Sequence, residues 1–299
     1  MLRKEVKEID EVKEVKERNE NVAAFFDLDG TLIARPSMEK RFFSSLRYRR
    51  VIGIRNYLLW LAEAMRLAPR GLNQIMHTNK LYLRGVRADV EGSGGTEIPV
   101  RLITKNEASK NGERRRQARM SVPPFYPEAI ERVAWHVERR HWIVIVSGTL
   151  EPLAERAARV LEAELGERGQ ASDIRVCATR LEEKNEKWTG RIAGEAMFGE
   201  AKARAIRRLA AEADLDLERC FAYGDSSSDR WMLETVGRPA AVNPSHDLAR
   251  IARRNNWPVL RWAEEKNLTP RARRAHRSQS AEETRQELQA EQERSGYGT

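Results

Sequence analysis

Two aspartates follow the first apolar run of the chain at a spacing that suits phosphoryl chemistry. Residues 22–26 read VAAFF, and DLDGT follows directly at 27–31. In an extended segment, residues two apart point to the same side, so Asp27 and Asp29 can both face one bound group. One carboxylate can attack phosphorus and form an aspartyl phosphate, while the other protonates the leaving oxygen and then deprotonates water. Gly30 would allow the turn to approach the ligand closely.

Three further polar motifs lie at the ends of predicted elements. Ser147-Gly148-Thr149 follows a predicted strand at 142–146, and GDSSSD at 224–229 follows the last residue of a predicted strand at 220–223. Lys202 lies near the start of a predicted helix. Ligands of a parallel sheet bind outside the carboxyl ends of its strands, so these motifs are expected to meet in one crevice. Asp27 and Asp225 would offer hard oxygen ligands to one Mg²⁺ ion. Ser147 and nearby backbone N–H groups, that of Gly148 included, would hold phosphoryl oxygens. Lys202 would offset the charge that develops in the transition state.

The order of the predicted elements indicates an α/β fold. Strands are predicted at the short apolar runs and helices between them, with strands at 22–26, 142–146, 174–178, 220–223 and 240–242 and helices at 127–140, 150–165 and 200–213. The run WIVIV at 142–146 has no polar alternation, which is typical of a strand covered on both faces. This alternation of strands and helices predicts a Rossmann-like parallel sheet.

A helical insertion is predicted after the first strand. Residues 37–85 read as two or three helices, because their apolar residues recur at helical spacing. The stretch 91–120 is rich in Gly, Ser, Asn and charge without periodicity, so a mobile loop is expected there. The predicted organisation is a charged N-terminal helix or extension at 1–21, a catalytic core at 22–36 and 125–264, an α-helical cap at 37–124, and a polar, disordered tail at 265–299.

The most apolar stretch of the chain, 51–67, has two interpretations. Its apolar residues fall on a helical stripe at 51, 54, 58, 61, 62 and 65. We expect a buried helix or one that lines the cap, because Arg55, Glu63 and Arg66 interrupt the stretch and exclude a membrane span. A helix on a membrane surface is the alternative, which Tyr57 and Trp60 keep open.

These motifs, in this order, resemble those of the haloacid dehalogenase superfamily of aspartate-nucleophile phosphatases. The resemblance covers about residues 22–262 and extends to the branch that contains phosphoserine phosphatase, whose helical cap is inserted soon after the first motif. It implies that Asp27 is the nucleophile and Asp29 the general acid and base. It also implies that Mg²⁺ is held by Asp27, the backbone carbonyl of Asp29, and Asp225.

The remaining motif residues take their roles from the same resemblance. Ser147 matches the phosphate-binding Ser or Thr, and Lys202 matches the lysine of the third motif. Thr31 and Asp229 are expected to support these groups rather than to bind the ion directly. The chain departs from the branch at 88–120, where relatives usually have a further cap helix and this sequence is rich in Gly and Arg.

A second departure concerns the substrate. Phosphoserine phosphatases typically carry a Glu nine residues after the nucleophile, which recognises the amino group of the substrate. This chain has Pro36 at that position, and Glu39 is the nearest acid. We therefore expect poor activity on L-phosphoserine. His77, His136 and His141 do not adjoin the motifs in sequence, and we expect them to be solvated or capping residues.

Composition and charge narrow the classes of protein that remain. Lys and Arg number 54 and Asp and Glu 45, a net charge of +9, and 40% of residues are apolar, which excludes a fully disordered chain. Two cysteines and the absence of an N-terminal apolar core predict a cytoplasmic protein. The leading function is a Mg²⁺-dependent phosphomonoesterase for a small phosphorylated metabolite, with no specific nucleic-acid partner and no transmembrane segment. A phosphotransferase with the same site is one alternative; a basic protein that binds nucleic acid or anionic membranes, with a vestigial site, is the other.

Overall fold

The computed structural model describes residues 21–48, 50–71, 75, 77–86, 97–100 and 118–263. Its strands are β1 (Ala23–Phe26), β2 (Glu97–Val100), β3 (Ala118–Ser121), β4 (Trp142–Leu150), β5 (Ile174–Thr179), β6 (Leu181–Lys184), β7 (Lys187–Ile192), β8 (Phe221–Gly224), β9 (Arg238–Val242) and β10 (Val259–Leu260). Its helices are α1 (Met38–Tyr48), α2 (Ile54–Leu67), α3 (Pro127–Glu138), α4 (Glu151–Glu167), α5 (Glu200–Ala213), α6 (Arg230–Leu233) and α7 (His246–Arg254).

The centre of the fold is a six-stranded sheet in the order β10-β9-β8-β1-β4-β5, in which every neighbouring pair is parallel. This confirms the predicted α/β fold. Strand β1 lies between β8 and β4, so its carboxyl end adjoins the carboxyl ends of both. Side chains that follow these three strands therefore emerge at one edge of the sheet.

Both faces of the sheet are buried, which explains the unbroken apolar runs. Successive side chains of a strand point to opposite faces. In β1, Ala24 and Phe26 contribute to the larger hydrophobic cluster, whereas Ala23 and Phe25 contribute to a second cluster. Strand β4 divides in the same way, and helices α3 and α4 cover the first face while α5, α6 and α7 cover the other.

The inserted helices are tied to one another and to the β6–β7 hairpin. The amide of Asn56 donates to the carbonyls of Tyr82 and Arg84, at 3.0 and 2.8 Å. Phe42 of α1 meets the ring of Trp188 edge-on, with 6.1 Å between ring centroids. Helix α1 buries Met38, Phe42 and Leu46, whereas Phe43 is only partly buried.

Helix α2 differs from the expectation of a buried helix. Ile54, Leu58, Leu61 and Met65 all stand at 50% exposure or more. The side that packs inward carries the partly buried Tyr57 instead. Helical periodicity identified the apolar stripe correctly, but the cap covers the neighbouring side of the helix. No described helix is long and apolar enough to cross a bilayer.

Two short segments of the predicted mobile loop at 91–120 form strands. Strands β2 and β3 pair antiparallel, with Glu97 opposite Ser121 and Val100 opposite Ala118. The prediction of a loop is therefore wrong for these two short segments. Residues 91–96 and 101–117 of the predicted loop lie outside the described residues. So do residues 1–20 of the N-terminal helix or extension predicted at 1–21, and the tail from 264 onward. The predicted domain boundaries stay predictions.

Candidate active site

The carboxyl ends of β1 and β8 bring three aspartates together. Asp27 follows β1, and its backbone N–H donates to the carbonyl of Tyr223 in β8 at 2.9 Å. Asp225 follows β8 directly, and Asp229 lies one turn further on. One carboxylate oxygen from each residue lies within 4.8 Å of the other two, and all three residues are buried.

Lys202 supplies a buried cation to this cluster. Its Nζ lies 2.5 Å from Oδ1 of Asp27 and 2.6 Å from Oδ1 of Asp229. Burial lowers the pKa of Lys202, but the two carboxylates outweigh burial and hold the pKa above its ordinary value. The ammonium group therefore stays charged and orients the Asp27 carboxylate from one side.

The pKa values of the acids follow from their surroundings. Burial raises the pKa of Asp27 well above its ordinary value, against the opposing effect of Lys202. Burial and then the charge of Asp229 raise the pKa of Asp225 to about 6. The pKa of Asp229 lies below its ordinary value, because Lys202 and hydrogen bonds from Ser226 outweigh burial. A divalent cation among these groups would favour their ionised forms.

Asp29 stands apart from the cluster. Its Oδ1 accepts a hydrogen bond from the backbone N–H of Met38, at the start of α1, at 2.8 Å. Burial raises the pKa of Asp29 to about 6, partly offset by this bond. The Asp29 carboxylate is not part of the described acid group that could hold an ion. A carboxyl group that titrates near neutrality is suited to accepting and returning a proton.

Asp229 organises the loop that carries Asp225. Its Oδ2 accepts hydrogen bonds from the backbone N–H of Asp225 at 3.2 Å and of Ser226 at 2.9 Å, and from the Ser226 hydroxyl at 2.8 Å. With Lys202 on Oδ1, both Asp229 oxygens are engaged. A Cβ at Gly224 would lie 2.6 Å from the Cβ of Asp229, so only glycine allows this approach.

The turn after β1 is built around Gly30. Its φ is +99°, and a Cβ at this position would lie 2.2 Å from Oδ2 of Asp225. Backbone conformation and close approach both require glycine here. The same Asp225 oxygen accepts from Arg35, at 3.1 Å from Nε and 2.5 Å from Nη2. Asp225 is thus held by an arginine that the sequence analysis did not select.

The predicted phosphate-binding motif lies within β4 rather than after it. Ser147 pairs with Ala178 and Leu150 with Thr179, so the ladder with β5 shifts register between these pairs and Gly148 stands at the irregularity. Ser147 is buried, and its hydroxyl accepts from the N–H of Thr149 at 3.3 Å. The buried hydroxyls of Thr31 and Thr149 have no partner in the part of the chain that the structure describes. Thr149 is therefore a further candidate donor.

One cavity of about 620 Å³ connects these groups with the cap. The predicted residues that line it are Asp27, Asp29, Ser147, Gly148, Lys202, Asp225 and Asp229, whereas Thr31 lies behind its wall. A larger cavity of about 870 Å³ opens at the amino ends of β8 and β9, around Phe221 and Arg238, away from the acids. We assign the site to the smaller cavity, because the converging charges lie there.

The cap contributes residues that the sequence analysis did not place at the site. His77 lines the cavity and stacks on Phe198, with ring centroids 3.5 Å apart. His77 was expected to be solvated or capping; instead it is partly buried and lies beside the predicted site. Burial, and then the charge of Lys80, lower the pKa of His77 to about 4, so its imidazole is neutral near pH 7.

Glu39 also reaches this cavity, but its carboxylate is already bonded. Its Oε1 accepts from Nζ of Lys80 and from the hydroxyl of Tyr82, both at 2.5 Å. The Lys80 side chain is only 3% exposed. The buried ammonium group of Lys80 therefore offsets the negative charge of Glu39.

The other two histidines form a structural pair elsewhere. His136 is fully buried, with Nε2 3.0 Å from the Tyr223 hydroxyl and Nδ1 2.8 Å from Nδ1 of His141. His136 is thus neither solvated nor a cap, contrary to expectation, because α3 turns it into the core. Burial holds its pKa well below the ordinary value.

Comparisons with known proteins identify the family. A family model described as haloacid dehalogenase-like hydrolase matches residues 24–234. Probable phosphatase Rv3661 of Mycobacterium tuberculosis (strain ATCC 25618 / H37Rv) is 33% identical over 253 residues, which cover 83% of this chain and 78% of that protein. Phosphoserine phosphatase SerB1 of the same strain is 29% identical over 245 residues, covering 79% and 70%. A protein with unknown function from Bordetella pertussis Tohama I has the same fold, with a TM-score of 0.55 at 22% identity over 80% of this chain and 98% of that one. The chain therefore belongs to the haloacid dehalogenase-like hydrolase family.

Proposed function

We propose that this phosphatase is a Mg²⁺-dependent phosphomonoester hydrolase that acts on a small phosphorylated metabolite through an aspartyl phosphate on Asp27. One observation carries the proposal: Asp27, Asp225 and Asp229 converge within 4.8 Å beside a buried Lys202. A nucleophilic carboxylate, a site for a hard cation and a fixed positive charge are the components of phosphoryl transfer.

The donor set fits Mg²⁺, which prefers carboxylate oxygens and keeps several water ligands. Asp27 and Asp225 would hold the ion, with the backbone carbonyl of Asp29 as the third protein ligand that the family resemblance implies. Asp229 would position these ligands rather than bind the ion, because its two oxygens already accept hydrogen bonds from Lys202 and from the backbone at 225–226. When bound, Mg²⁺ offsets the charge of the acids and of the phosphoryl oxygens.

Asp27 and Asp29 divide the covalent chemistry between them. A carboxylate oxygen of Asp27 forms a bond to phosphorus while the bond from phosphorus to the leaving oxygen breaks. Asp29 gives its proton to that leaving oxygen. It then takes a proton from a water molecule, which attacks the phosphoryl group, regenerates Asp27 and releases phosphate. The Asp29 pKa of about 6 supports both protonation states near neutral pH.

Ser147, Gly148 and Lys202 hold the transferring group. The Ser147 hydroxyl and the backbone N–H at the β4 irregularity would donate to phosphoryl oxygens, and Thr149 adds a second hydroxyl. The fixed charge of Lys202 would stabilise the charge on the equatorial oxygens. Thr31, fully buried behind the cavity, would support the turn that presents Asp27 and Asp29.

The leaving-group side of the cavity argues against an amino-acid substrate. Glu39 could bind an ammonium group only in competition with Lys80 and Tyr82, which already donate to its Oε1. Pro36, at the position where phosphoserine phosphatases place a Glu, has no charge to offer. The neutral His77–Phe198 stack offers a flat surface to the leaving group instead.

Replacement of the nucleophile tests the proposal. Asp27→Asn keeps the shape of the side chain but removes the anion, so phosphate release from an aryl phosphate should fall by about 10³-fold or more. Asp247→Asn, on the exposed start of α7, is the matched control and should retain wild-type turnover. Chelation should abolish activity and Mg²⁺ should restore it. An Asp27→Asn enzyme with more than about a tenth of wild-type activity would exclude the covalent role of Asp27.

A further inference from the structure

One face of helix α2 is apolar and open to solvent. It consists of Ile54, Leu58, Leu61 and Met65, which are 76%, 60%, 50% and 65% exposed. Their spacing aligns them on one narrow stripe along the helix axis. Among the described residues, the only other exposed large hydrophobic side chains are those of Tyr48 and Val259. We call this stripe the α2 face.

The segment of the sequence that carries the α2 face is rich in arginine. Arg55 and Arg66 are exposed and border the stripe on the same helix. Residues 44–71 of the sequence contain six arginines and a single acid, Glu63. Glu63 is paired with Arg66, so these two charges largely offset each other, and Arg55 with the remaining arginines leaves the segment net cationic.

We propose that the α2 face docks on an anionic lipid bilayer and lies in the plane of its interface. A 14-residue helix is about 21 Å long and suits this orientation, with its aliphatic side chains among the upper acyl chains. Arg55, which is exposed, would then meet anionic headgroups. This surface does not depend on the proposed phosphatase chemistry.

Charge distinguishes the bilayer from a second copy of the chain as the occupant. A two-fold contact places the same patch on both partners. It would bring the arginine-bordered stripe of one copy against that of the other, and like charges across an interface oppose association. An anionic surface complements the same arginines.

Vesicle binding by the full chain tests the proposal. The chain should co-sediment with vesicles of about one part phosphatidylglycerol to two parts phosphatidylcholine, and much less with phosphatidylcholine alone. Leu58→Ser with Met65→Ser should lower partitioning about tenfold or more. Val259→Ser, an exposed apolar residue of β10, is the matched control and should bind as wild type. Arg55→Gln should weaken binding about fivefold, and raised salt should weaken it further.

A fluorescent probe reports on the occupant directly. An environment-sensitive dye at Leu58→Cys should shift to the blue when anionic vesicles are added, whereas a dye at Val259→Cys should not. Absence of vesicle binding, or binding that survives Leu58→Ser with Met65→Ser, would overturn the proposal. A dye at position 58 that is already shielded without vesicles would overturn it too. If shielding of this dye grows with protein concentration, a second copy of the chain covers the α2 face. If the shielding does not depend on concentration, another segment of the same chain covers it.

Discussion

Replacement of Arg35 by glutamine should strengthen Mg²⁺ binding. The Arg35 guanidinium donates two hydrogen bonds to Oδ2 of Asp225, at 3.1 and 2.5 Å, and Asp225 is a candidate ion ligand. The ion and the guanidinium therefore compete for one carboxylate. Glutamine removes the positive charge while keeping a polar side chain of intermediate length.

The size of the effect follows from exposure. Hydrogen bonds to charged groups contribute about 1.5–3 kcal/mol when shielded, but exposed ion pairs contribute only about 0.2–1 kcal/mol. The Arg35 side chain is 65% exposed, whereas that of Asp225 is 4% exposed, so we take the upper end of the exposed range. A free energy of about 1 kcal/mol corresponds to about a fivefold lower dissociation constant for Mg²⁺.

Isothermal titration of the purified protein with Mg²⁺ measures this constant without any turnover. Lys40→Gln is the matched control, because Lys40 lines the same cavity and has no described hydrogen bond to Asp225. Asp225→Asn should remove most of the binding. An Arg35→Gln protein that binds Mg²⁺ as weakly as wild type, or more weakly, would refute the competition.

Three further outcomes are expected. Gly30→Ala should abolish Mg²⁺ binding, because the added Cβ would lie 2.2 Å from Oδ2 of Asp225. Gly85 has a similar φ of +82° but no atom near the position of an added Cβ, so Gly85→Ala should only lower stability. Equal effects of the two substitutions on Mg²⁺ binding would contradict this reasoning. Burial holds the pKa of His141 at about 3 and that of His136 well below 6.5. Below about pH 6.5 the unfolded state therefore binds more protons than the folded state, and the free energy of unfolding falls as the pH falls. In urea unfolding, His141→Asn should reduce this slope by about 1.4 kcal/mol per pH unit, and an unchanged slope would mean that His141 is solvated. In a panel of phosphomonoesters, L-phosphoserine should be a poor substrate; if its kcat/KM is the highest by about tenfold or more, Glu39 binds ammonium despite Lys80 and Tyr82.

Predictions that depend on strand ends could be made from the sequence. The apolar runs at 22–26 and 220–223 had to be strands of a buried sheet, and each is followed at once by an acid. Parallel strands present their carboxyl ends at one edge, so the placing of Asp27 and Asp225 at the same edge follows from the order of elements, whereas their contact depends on the pairing of β1 with β8. The position of Ser147 followed in the same way, although the structure extends β4 to Leu150.

Features that depend on contacts between distant segments could not be predicted. Arg35 and Asp225 are 190 residues apart, and no local pattern indicates their pairing. Glu39 was recognised as the nearest acid, but its neutralisation by Lys80 depends on how the cap segments pack.

Helix α2 shows which properties depend on the sequence alone and which depend on the tertiary structure. Sequence determined that Ile54, Leu58, Leu61 and Met65 share one side of a helix, because the 3.6-residue period depends only on the order of residues along the chain. Only the tertiary structure decided which side of that helix meets the rest of the cap, since burial depends on the shapes of neighbouring elements. It left this stripe in solvent and turned Tyr57 inward.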